Sequence, residues 1–580
     1  MSSAKAWPAV DMAQTLAQLT APGAPFETTP VTVSGRSLRA YVQAKPHMRQ
    51  VFDESRRFGE RPLIVFEDER LSFEAHWRAA SAFGRALIER YGVTKGDRVG
   101  VAMRNFPEWS ICAWGALAVG AVLVPLNAWE PGPALARMIR DSGARVVAVD
   151  GERLERLSGE LGGEVALILA REAATATGAT ALAELIGPPG GYASLPDTPL
   201  PDPGLAPDDP ATIFYTSGTT GVSKGAGGSH RNLATNLVNM GFRPARAAVR
   251  RGEPVPAANP TPPERAQLLP LPFFHVTGFH STLMPALANG TTLVLMYRWD
   301  VATALELIER EKIKGLTLVP TQAWQLVDSD GIEARDFSSV DSVGYGGAAA
   351  APELAARVRA VFPAAFPGQG YGATETSSLT AANSHEDMMA RPGSVGVAVP
   401  CCDLRIVDET GADVAEGQPG ELWVRGPNVV AGYWNAPEAT AGAFVDGWYR
   451  TGDIVRRGEE GFIYILDRAK DMLIRGGENI YCVEIEDVLV THPAVAEVVV
   501  VGVPDRVMGE LVGAIVRLHP GREADAQALK AHVAERLAAH KVPVVVHQRE
   551  AFFPRNAAGK ALKRELKAEL LDALIALPAV

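Results

Sequence analysis

Residues 215–226 read YTSGTTGVSKGA, a stretch that combines glycines, hydroxyl side chains and a lysine directly after a short apolar run. Glycines let backbone N–H groups approach an anion, hydroxyls add donors and lysine adds positive charge, so the stretch predicts a phosphate-binding loop. A Walker A loop requires G-x-x-x-x-G-K-[ST]. Here Gly218, Gly221 and Lys224 are spaced differently, and Gly225 stands where the magnesium-binding hydroxyl would follow. A flexible turn is the alternative interpretation of such a loop.

The composition is that of a soluble globular protein. The chain has 580 residues, which suggests three or more structural units, with 47% hydrophobic and 21% charged residues. The net charge of −11 argues against nucleic acid as a partner, because phosphate backbones bind basic surfaces. An anionic ligand must instead be held by local charges and oriented dipoles.

Cysteine usage and hydropathy indicate the kind of compartment. The four cysteines show no C-x-x-C pair and no metal-ligand spacing, which favours a reduced, cytoplasmic protein. The most apolar run, residues 111–126, is shorter than a bilayer span and contains glycine and proline. It therefore predicts a buried helix followed by a strand and no integral membrane segment. The N-terminal residues lack the apolar core of a secretory signal.

The order of helical and extended segments predicts an α/β fold. Apolar residues from Phe73 to Tyr91 recur at helical spacing, and short apolar runs alternate with helical stretches after them. This alternation indicates parallel sheets in a large N-terminal region of several subdomains. Near Asp467 the charged sequence LDRAKDML is typical of a hinge, and the hundred or so residues after it predict a small α+β unit. We place the two domains at residues 1–467 and 468–580.

Two further motifs set polar side chains among glycines. GQGYGATET, residues 368–376, places Tyr371 to stack on a planar base and Glu375 to hold a hard cation beside phosphates. A tight turn with a surface glutamate is the alternative interpretation. GWYRTGD ends at Asp453, whose carboxylate can accept both hydroxyls of a ribose.

The C-terminal motif PRNAAGKALKREL brings a lysine to the start of the closing helix. Lys560 follows Gly559 directly. Lys563 and Lys567 are expected on the solvated face of that helix, with its leucines facing inward.

Taken in this order, the glycine-rich loop, the GQGYGATET and GWYRTGD motifs, Arg468 and the lysine of PRNAAGK resemble the adenylate-forming superfamily. This superfamily includes acyl-CoA synthetases, firefly luciferase and the adenylation domains of peptide synthetases. The resemblance extends from about Leu71 to about Leu566. It implies a large N-terminal domain of packed α/β subdomains, a small mobile α+β C-terminal domain, and the use of ATP, Mg²⁺ and coenzyme A.

The resemblance also implies a role for each matching residue. Lys560 is the adenylation lysine, Lys470 the hinge residue, and Thr374 the contact to the α-phosphate. Glu375 binds Mg²⁺, with Thr216 as a second ligand. The implied catalytic residues are Lys560, Thr374, Glu375 and Lys224. The implied nucleotide- and CoA-binding residues are Thr216, Ser217, Gly218, Thr219, Thr220, Gly221 and Lys224 at the β- and γ-phosphates, Gly346, Gly347, Ala348, Gly370, Tyr371 and Gly372 at adenine, Thr374 and Lys560 at the reacting phosphate, Asp453 and Arg468 at the ribose, and Gly477 beside pantetheine.

The implied reaction has two steps. A carboxylate attacks the α-phosphorus of ATP, pyrophosphate leaves from the glycine-rich loop, and a thiol then displaces AMP from the acyl adenylate. Because Lys560 belongs to the small domain, rotation about Lys470 withdraws it after adenylation and brings RGGEN, residues 475–479, to the site.

The acyl pocket is expected around His275, Gly278, Tyr345 and Gly346. FFHVTGFHS lacks the aspartate that pairs with a substrate ammonium in amino-acid-activating members, which favours a plain carboxylic acid. Small residues at 346–351 indicate a roomy apolar pocket, and hence a medium- or long-chain fatty acid or a bulky aryl acid. An acyl-CoA synthetase is the leading interpretation. An acyl-AMP ligase that delivers to a carrier protein, a non-catalytic nucleotide-binding relative and a homodimer stay open.

Overall fold

The fold is known from a computed structural model that describes residues 7–172, 178–216, 223–257, 262–347, 350–476, 478–556 and 559–576. It is a mixed α/β structure with a large N-terminal domain and a smaller C-terminal domain, which confirms the predicted fold class. None of the helices within these ranges is long and apolar enough to cross a membrane.

The first sheet of the N-terminal domain is parallel except at one edge, where β11 runs antiparallel to β10. Its strands, in spatial order, are β11 (Gly225–Ser229), β10 (Pro210–Tyr215), β6 (Val122–Pro125), β5 (Arg98–Ala102), β7 (Val146–Val149), β8 (Ala166–Leu169) and β9 (Thr180–Ala181). The glycine-rich loop thus connects the two strands at this edge.

The second sheet is parallel in its centre and antiparallel at both edges. Its strands, in spatial order, are β18 (Val397–Ala398), β17 (Ser378–Ser384), β16 (Phe366–Ala373), β15 (Ser342–Gly346), β14 (Gly315–Leu318), β12 (Arg265–Leu269), β13 (Thr291–Leu295), β3 (Pro62–Phe66) and β4 (Glu69–Ser72). Parallel strands deliver their carboxyl ends to one edge, where ligand sites of α/β proteins form.

A third, antiparallel sheet comes next in the chain and leads into the C-terminal domain. Its strands are β19 (Asp403–Val407), β20 (Gly420–Arg425), β22 (Trp448–Arg457) and β21 (Phe444–Val445), with β23 (Ile463–Arg468) paired to β22. The sheet of the C-terminal domain contains β25 (Glu478–Ile480), β24 (Leu473–Arg475), β27 (Gly509–Leu518), β26 (Val495–Asp505) and β28 (Val545–Gln548). A separate hairpin near the N-terminus pairs β1 (Thr28–Val33) with β2 (Arg36–Tyr41).

The helices cover the faces of these sheets. In chain order they are α1 (Met12–Leu19), α2 (Met48–Ser55), α3 (Phe73–Tyr91), α4 (Pro107–Ala118), α5 (Gly132–Ser142), α6 (Gly151–Arg156), α7 (Leu182–Ile186), α8 (His230–Asn239), α9 (Phe242–Arg250), α10 (Val276–Gly278), α11 (Met284–Asn289), α12 (Val301–Arg310), α13 (Pro320–Val327), α14 (Glu353–Val361), α15 (His385–Ala390), α16 (Pro437–Ala443), α17 (Cys482–Val490), α18 (Ala526–Ala534) and α19 (Lys563–Ala576).

Two segments predicted from hydropathy are confirmed. α3 begins where the Ser72 hydroxyl accepts the Ala75 N–H and ends at Gly92, whose φ of 62° closes the last turn. The apolar run 111–126 forms the second part of α4 and then β6, all of it buried.

α3 and α4 pack unusually closely because glycines face each other at the crossing. A Cβ added at Gly115 would lie 2.6 Å from the Ala80 carbonyl oxygen, and one at Gly84 would lie 3.0 Å from the Gly115 oxygen. The backbones themselves therefore form this contact, and no larger side chain fits between them.

We expect Gly115→Ala to lower the free energy of unfolding by about 1–3 kcal/mol, because the new methyl group forces the two helices apart. Urea denaturation followed by tryptophan fluorescence measures this. Gly442→Ala in α16 is the matched control, since a Cβ there meets nothing within 4 Å. An equal loss of stability in both variants would contradict the packing argument.

Candidate functional site

A cavity of about 3030 Å³ lies where the carboxyl ends of the second sheet, the third sheet and the C-terminal domain meet. Most of the residues that the sequence singled out border it. They are Thr216, Lys224, His275, Tyr345, Gly346, Gly347, Gly370, Tyr371, Gly372, Thr374, Glu375, Asp453, Arg468, Lys470 and Lys560. Ser217, Gly218, Thr219, Thr220, Gly221, Ala348 and Gly477 lie outside the described residues.

Three side chains form a connected polar unit on one wall of this cavity. Asp453 and Arg468 face each other across the antiparallel pair β22–β23, and their Oδ1 and Nε atoms are 2.6 Å apart. The Tyr371 hydroxyl, on β16, donates to Asp453 Oδ2 at 2.5 Å. Burial, and then the Asp453 charge, raise the pKa of Tyr371 well above its usual value, so the phenol keeps its proton. This polar unit thus places the carboxylate oxygens of Asp453 beside the flat ring of Tyr371.

Glu375 forms a second polar group at the end of β16. It is 8% exposed and lies in a single helical turn, Thr374–Thr376, that ends at Ser377 with φ 51°. The Tyr433 hydroxyl donates to Glu375 Oε1 at 2.7 Å, and Lys224 Nζ lies 5.2 Å from the centroid of the Tyr433 ring. Tyr433 therefore joins the lysine of the glycine-rich loop to the carboxylate. No motif in the sequence singled out Tyr433.

These residues suit a magnesium ion that is held mainly by phosphates. No cluster of three or more His, Cys, Asp or Glu suited to a metal occurs in the part of the chain that the structure describes. Glu375 and Thr216 both border the cavity and provide oxygen ligands. Mg²⁺ usually takes one or two protein oxygens together with substrate phosphates and water. The residues present therefore fit such an ion.

Lys560 reaches this site from the C-terminal domain. The chain around it folds back on itself: Asn556 Oδ1 accepts the Lys560 N–H at 3.0 Å, and the Arg555 guanidinium donates to the Gly559 carbonyl at 2.8 Å. A Cβ at Gly559 would lie 2.9 Å from Val319 of the N-terminal domain. Only glycine allows so close an approach, and its φ of 77° also favours glycine.

The charge of Lys560 has both attractive and repulsive neighbours. Burial, followed by the Arg468 charge, lowers the pKa of Lys560 to about 8, while Asp453 and Glu375 act in the opposite direction. The charged neighbours of Lys560 are thus the side chains that form the polar wall, and its own side chain stays open to the cavity. An anion placed there would gain a positively charged partner.

The connection between the domains is a tight turn at Lys470. Asp471 and Met472 both donate backbone N–H groups to the Arg468 carbonyl. Asp467 Oδ2 accepts the Cys482 N–H at 2.5 Å and so ties the end of β23 to the first turn of α17. Burial raises the pKa of Asp467 to about 6. The predicted domain boundary lies just before this turn, and the C-terminal sheet begins a few residues later.

Lys563 differs from the sequence expectation. Instead of lying on a solvated face, it forms an ion pair of 2.7 Å with Glu486 of α17 and is only 26% exposed. α19 packs on β26 with this end turned toward the interior, while Leu566 and Leu570 are buried as predicted. Lys567 pairs with Glu510 at 3.5 Å and is more exposed. Helical spacing predicts which face of α19 is buried. It does not predict that the Glu486 carboxylate of another helix pairs with a lysine at the edge of that face.

The residues expected in the acyl pocket take different positions. His275 borders the cavity, and burial lowers the pKa of its imidazole to about 4, so the ring is neutral at pH 7. Gly278 lies behind it, where a Cβ would meet the Pro272 carbonyl oxygen at 2.1 Å, and does not border the cavity. The Tyr345 side chain packs into the core formed with Val343 and Leu354. Gly346 lies on the opposite, cavity face of β15.

The chain is similar to known proteins over most of its length. The family model described as AMP-binding enzyme matches residues 51–434, and that of the AMP-binding enzyme C-terminal domain matches residues 484–560. A feruloyl-CoA synthase of Amycolatopsis sp is 34% identical over 478 residues, which covers 82% of this chain and 89% of that protein. A long-chain-fatty-acid–CoA ligase of Escherichia coli O157:H7 is 30% identical over 540 residues, covering 88% and 92%.

A solved structure agrees with these relatives. O-succinylbenzoate coenzyme A synthetase from Bacillus subtilis, in complex with ATP and magnesium ion, is 28% identical with a TM-score of 0.73, and the match covers 90% of this chain and 100% of that one.

We expect Asp453→Asn to weaken ATP binding by about tenfold or more, because the variant loses a charged acceptor and leaves Arg468 without its partner. Isothermal titration with ATP measures the dissociation constant. Glu459→Gln, just after β22, removes one negative charge outside the cavity and is expected to bind ATP normally. Equal weakening in the two variants would show a general effect of charge.

Proposed function

This chain is a member of the AMP-binding enzyme family and an adenylate-forming CoA ligase, and we propose that it joins a carboxylic acid with a large body to coenzyme A. The acid is a medium- or long-chain fatty acid or a bulky aryl acid. Acid, ATP and CoA give acyl-CoA, AMP and pyrophosphate through an acyl adenylate.

The position of Lys560 in the cavity, beside the polar wall of the N-terminal domain, carries this proposal. Its electrostatic partners include Arg468, Asp453 and Glu375, which the chain contributes from separate motifs. Lys560 belongs to the C-terminal domain but lies near the N-terminal domain's Asp453, whose carboxylate accepts a hydrogen bond from Tyr371. A cation in this position is suited to bind a nucleotide and a second anion together. In the first step it offsets the repulsion between the acid and the α-phosphate.

Each side of the site has a part in adenylation. Tyr371 provides a face for adenine, Asp453 accepts the ribose hydroxyls, and Lys224 lies at the phosphate end beside Tyr433. Mg²⁺, when bound by Glu375 and Thr216, supplies further neutralisation of the phosphates. Catalysis is mostly positioning and charge neutralisation, since the carboxylate itself is the nucleophile.

Thioester formation requires a different arrangement of the C-terminal domain. Lys560 fills the region beside the polar wall, so a thiol must approach after this side chain has moved. The turn at Lys470 is short and exposed, which suits it to serve as the axis: two of its backbone N–H groups bond within residues 468–472, and Ala469 donates to the Gly452 carbonyl. The rotation brings residues 475–479 to the site.

The direct test is AMP and pyrophosphate release from ATP and Mg²⁺ across fatty and aryl acids, with and without CoA. The proposal expects acid-dependent AMP formation that turns over only with CoA. Acid-dependent pyrophosphate without acylation of CoA would overturn the choice of acceptor and favour a carrier protein. ATP binding without any acid-dependent reaction would favour a non-catalytic relative.

We expect Lys560→Ala to slow acyl-adenylate formation by about 100-fold or more, because it removes the charge that stabilises the transition state. Thioester formation from supplied acyl adenylate should stay near the wild-type rate. Pyrophosphate release and CoA consumption, assayed separately, give the two rates. Lys530→Ala, on the same domain but outside the cavity, is the control. Equal loss of both half-reactions would contradict the role of Lys560.

The pH profile provides a separate prediction. Since the pKa of Lys560 is lowered to about 8, kcat/KM for ATP should be maximal below this pH and fall as pH rises through it, when the lysine loses its charge. Lys560→Arg keeps its charge and should not show this decline. If the decline in kcat/KM near pH 8 persists in Lys560→Arg, a group other than Lys560 causes it.

A further inference from the structure

A strip of bare backbone forms the floor of the cavity on the side away from the nucleotide wall. Gly344 and Gly368 are neighbours in the β15–β16 register, and Gly346 and Gly370 are the next pair on the same face. All four border the cavity. Because no side chain rises from this strip, the cavity continues along the strands from the nucleotide end toward their amino ends.

Arg243 of α9 lies over the inner end of this floor. A Cβ added at Gly368 would lie 3.0 Å from Arg243 Nη1, and one at Gly344 would lie 3.8 Å from both Nη atoms. Arg243 borders the cavity and makes no hydrogen bond or ion pair with any residue that the structure describes. Its guanidinium therefore faces the cavity with all of its donors available.

The other arginines of α9 are compensated, and Arg243 is not. Arg246 Nε lies 3.4 Å from Asp387 Oδ2, and Arg250 Nε lies 3.1 Å from Asp387 Oδ1. Arg250 also pairs with Glu460 at 2.9 Å. Burial, with no carboxylate to oppose it, lowers the pKa of Arg243. Arg243 is half-buried, and a partly desolvated cation without a counter-ion is costly unless a ligand provides one.

Two further polar groups face the same place. A Cβ added at Gly368, 3.0 Å from Arg243 Nη1, would also lie 3.4 Å from Ser384 Cβ, so both side chains border the space above Gly368. Ser384 is 3% exposed, and its Oγ has no hydrogen-bond partner within the described ranges. His385 Nδ1 is likewise buried without a partner, and burial together with Arg243 lowers the pKa of this imidazole to about 4, so the ring is neutral. All three residues border the cavity.

We infer that the acid activated by this protein carries a second carboxylate at its far end, bound by the Arg243 guanidinium and the Ser384 hydroxyl. The inference rests on the proposed function and narrows its substrate class to dicarboxylic acids. A planar guanidinium binds a carboxylate through two parallel hydrogen bonds. The Gly344–Gly368 pair lies about 7 Å along the strands from Gly346–Gly370, so the acid needs a body long enough to span this floor. A plain alkyl chain would instead cover Arg243 with methylene groups.

Matched pairs of acids test this directly. Octanoate and suberate differ only in the terminal carboxylate, as do cinnamate and 4-carboxycinnamate. The wild-type protein is expected to favour the diacid of at least one pair in kcat/KM. Arg243→Leu should lower kcat/KM for that diacid by about tenfold or more and leave the monoacid unchanged or improved. Arg243→Lys should retain part of the preference.

The control is Arg251→Leu, at the end of the same helix. Arg251 pairs with Glu253 and Glu386 and does not border the cavity, so its loss should not alter the ratio of diacid to monoacid. Circular dichroism and thermal unfolding establish that each variant is folded. Monoacid preference in the wild type, with a ratio that Arg243→Leu does not alter, would overturn the inference while acid-dependent AMP formation upheld the proposed function.

A binding measurement separates the two conclusions. Isothermal titration of the full chain with suberate and octanoate requires no turnover. Suberate binding that is lost in Arg243→Leu supports the inference even if no acid yields AMP, a result that would overturn only the proposed function. Equal binding of suberate by the wild-type protein and Arg243→Leu would overturn the inference.

Discussion

The placement of one ammonium group in the cavity where two domains meet is the constraint on which the rest of the site depends. Lys560 approaches Arg468, which is repulsive, and Asp453 and Glu375, which are attractive, and the balance leaves its pKa at about 8. Such an arrangement is unfavourable without an anion and favourable with one. The substrate charges that must be brought together are therefore also the charges that stabilise this position of the C-terminal domain.

The contacts around Lys560 show how the chain beside the lysine is held in that position. Gly559 brings the backbone against Val319, and Arg555 links the Gly559 carbonyl to Glu497, whose other oxygen pairs with Arg517 at 2.7 Å. Described residues on both sides of the lysine-bearing turn are thus tied to their own domain. In the proposed scheme the domain rotates as a unit about the short turn at Lys470.

Glycines have two distinct roles in the cavity. At the nucleotide end they belong to motifs that are visible in the sequence, because an anion-binding loop needs only neighbouring backbone groups. Along β15 and β16 they exclude side chains from one face, while Val343 and Tyr345 fill the core on the other. The cavity is open over these strands for this reason, and Arg243, Ser384 and His385 border its inner end.

The sequence by itself determined the fold class, the helix at α3, the α4–β6 segment and the motifs that border the nucleotide site, because each depends on residues close together in the chain. It placed Lys563 in solvent, and it contained no sign of Tyr433 or Arg243. Only the tertiary structure decided the positions of these residues. Sheet register decides which face of β15 borders the cavity. Helix packing decides that the Glu486 carboxylate pairs with Lys563 and that α9 approaches β16. Such contacts join residues far apart in the chain, and no local pattern records their distance.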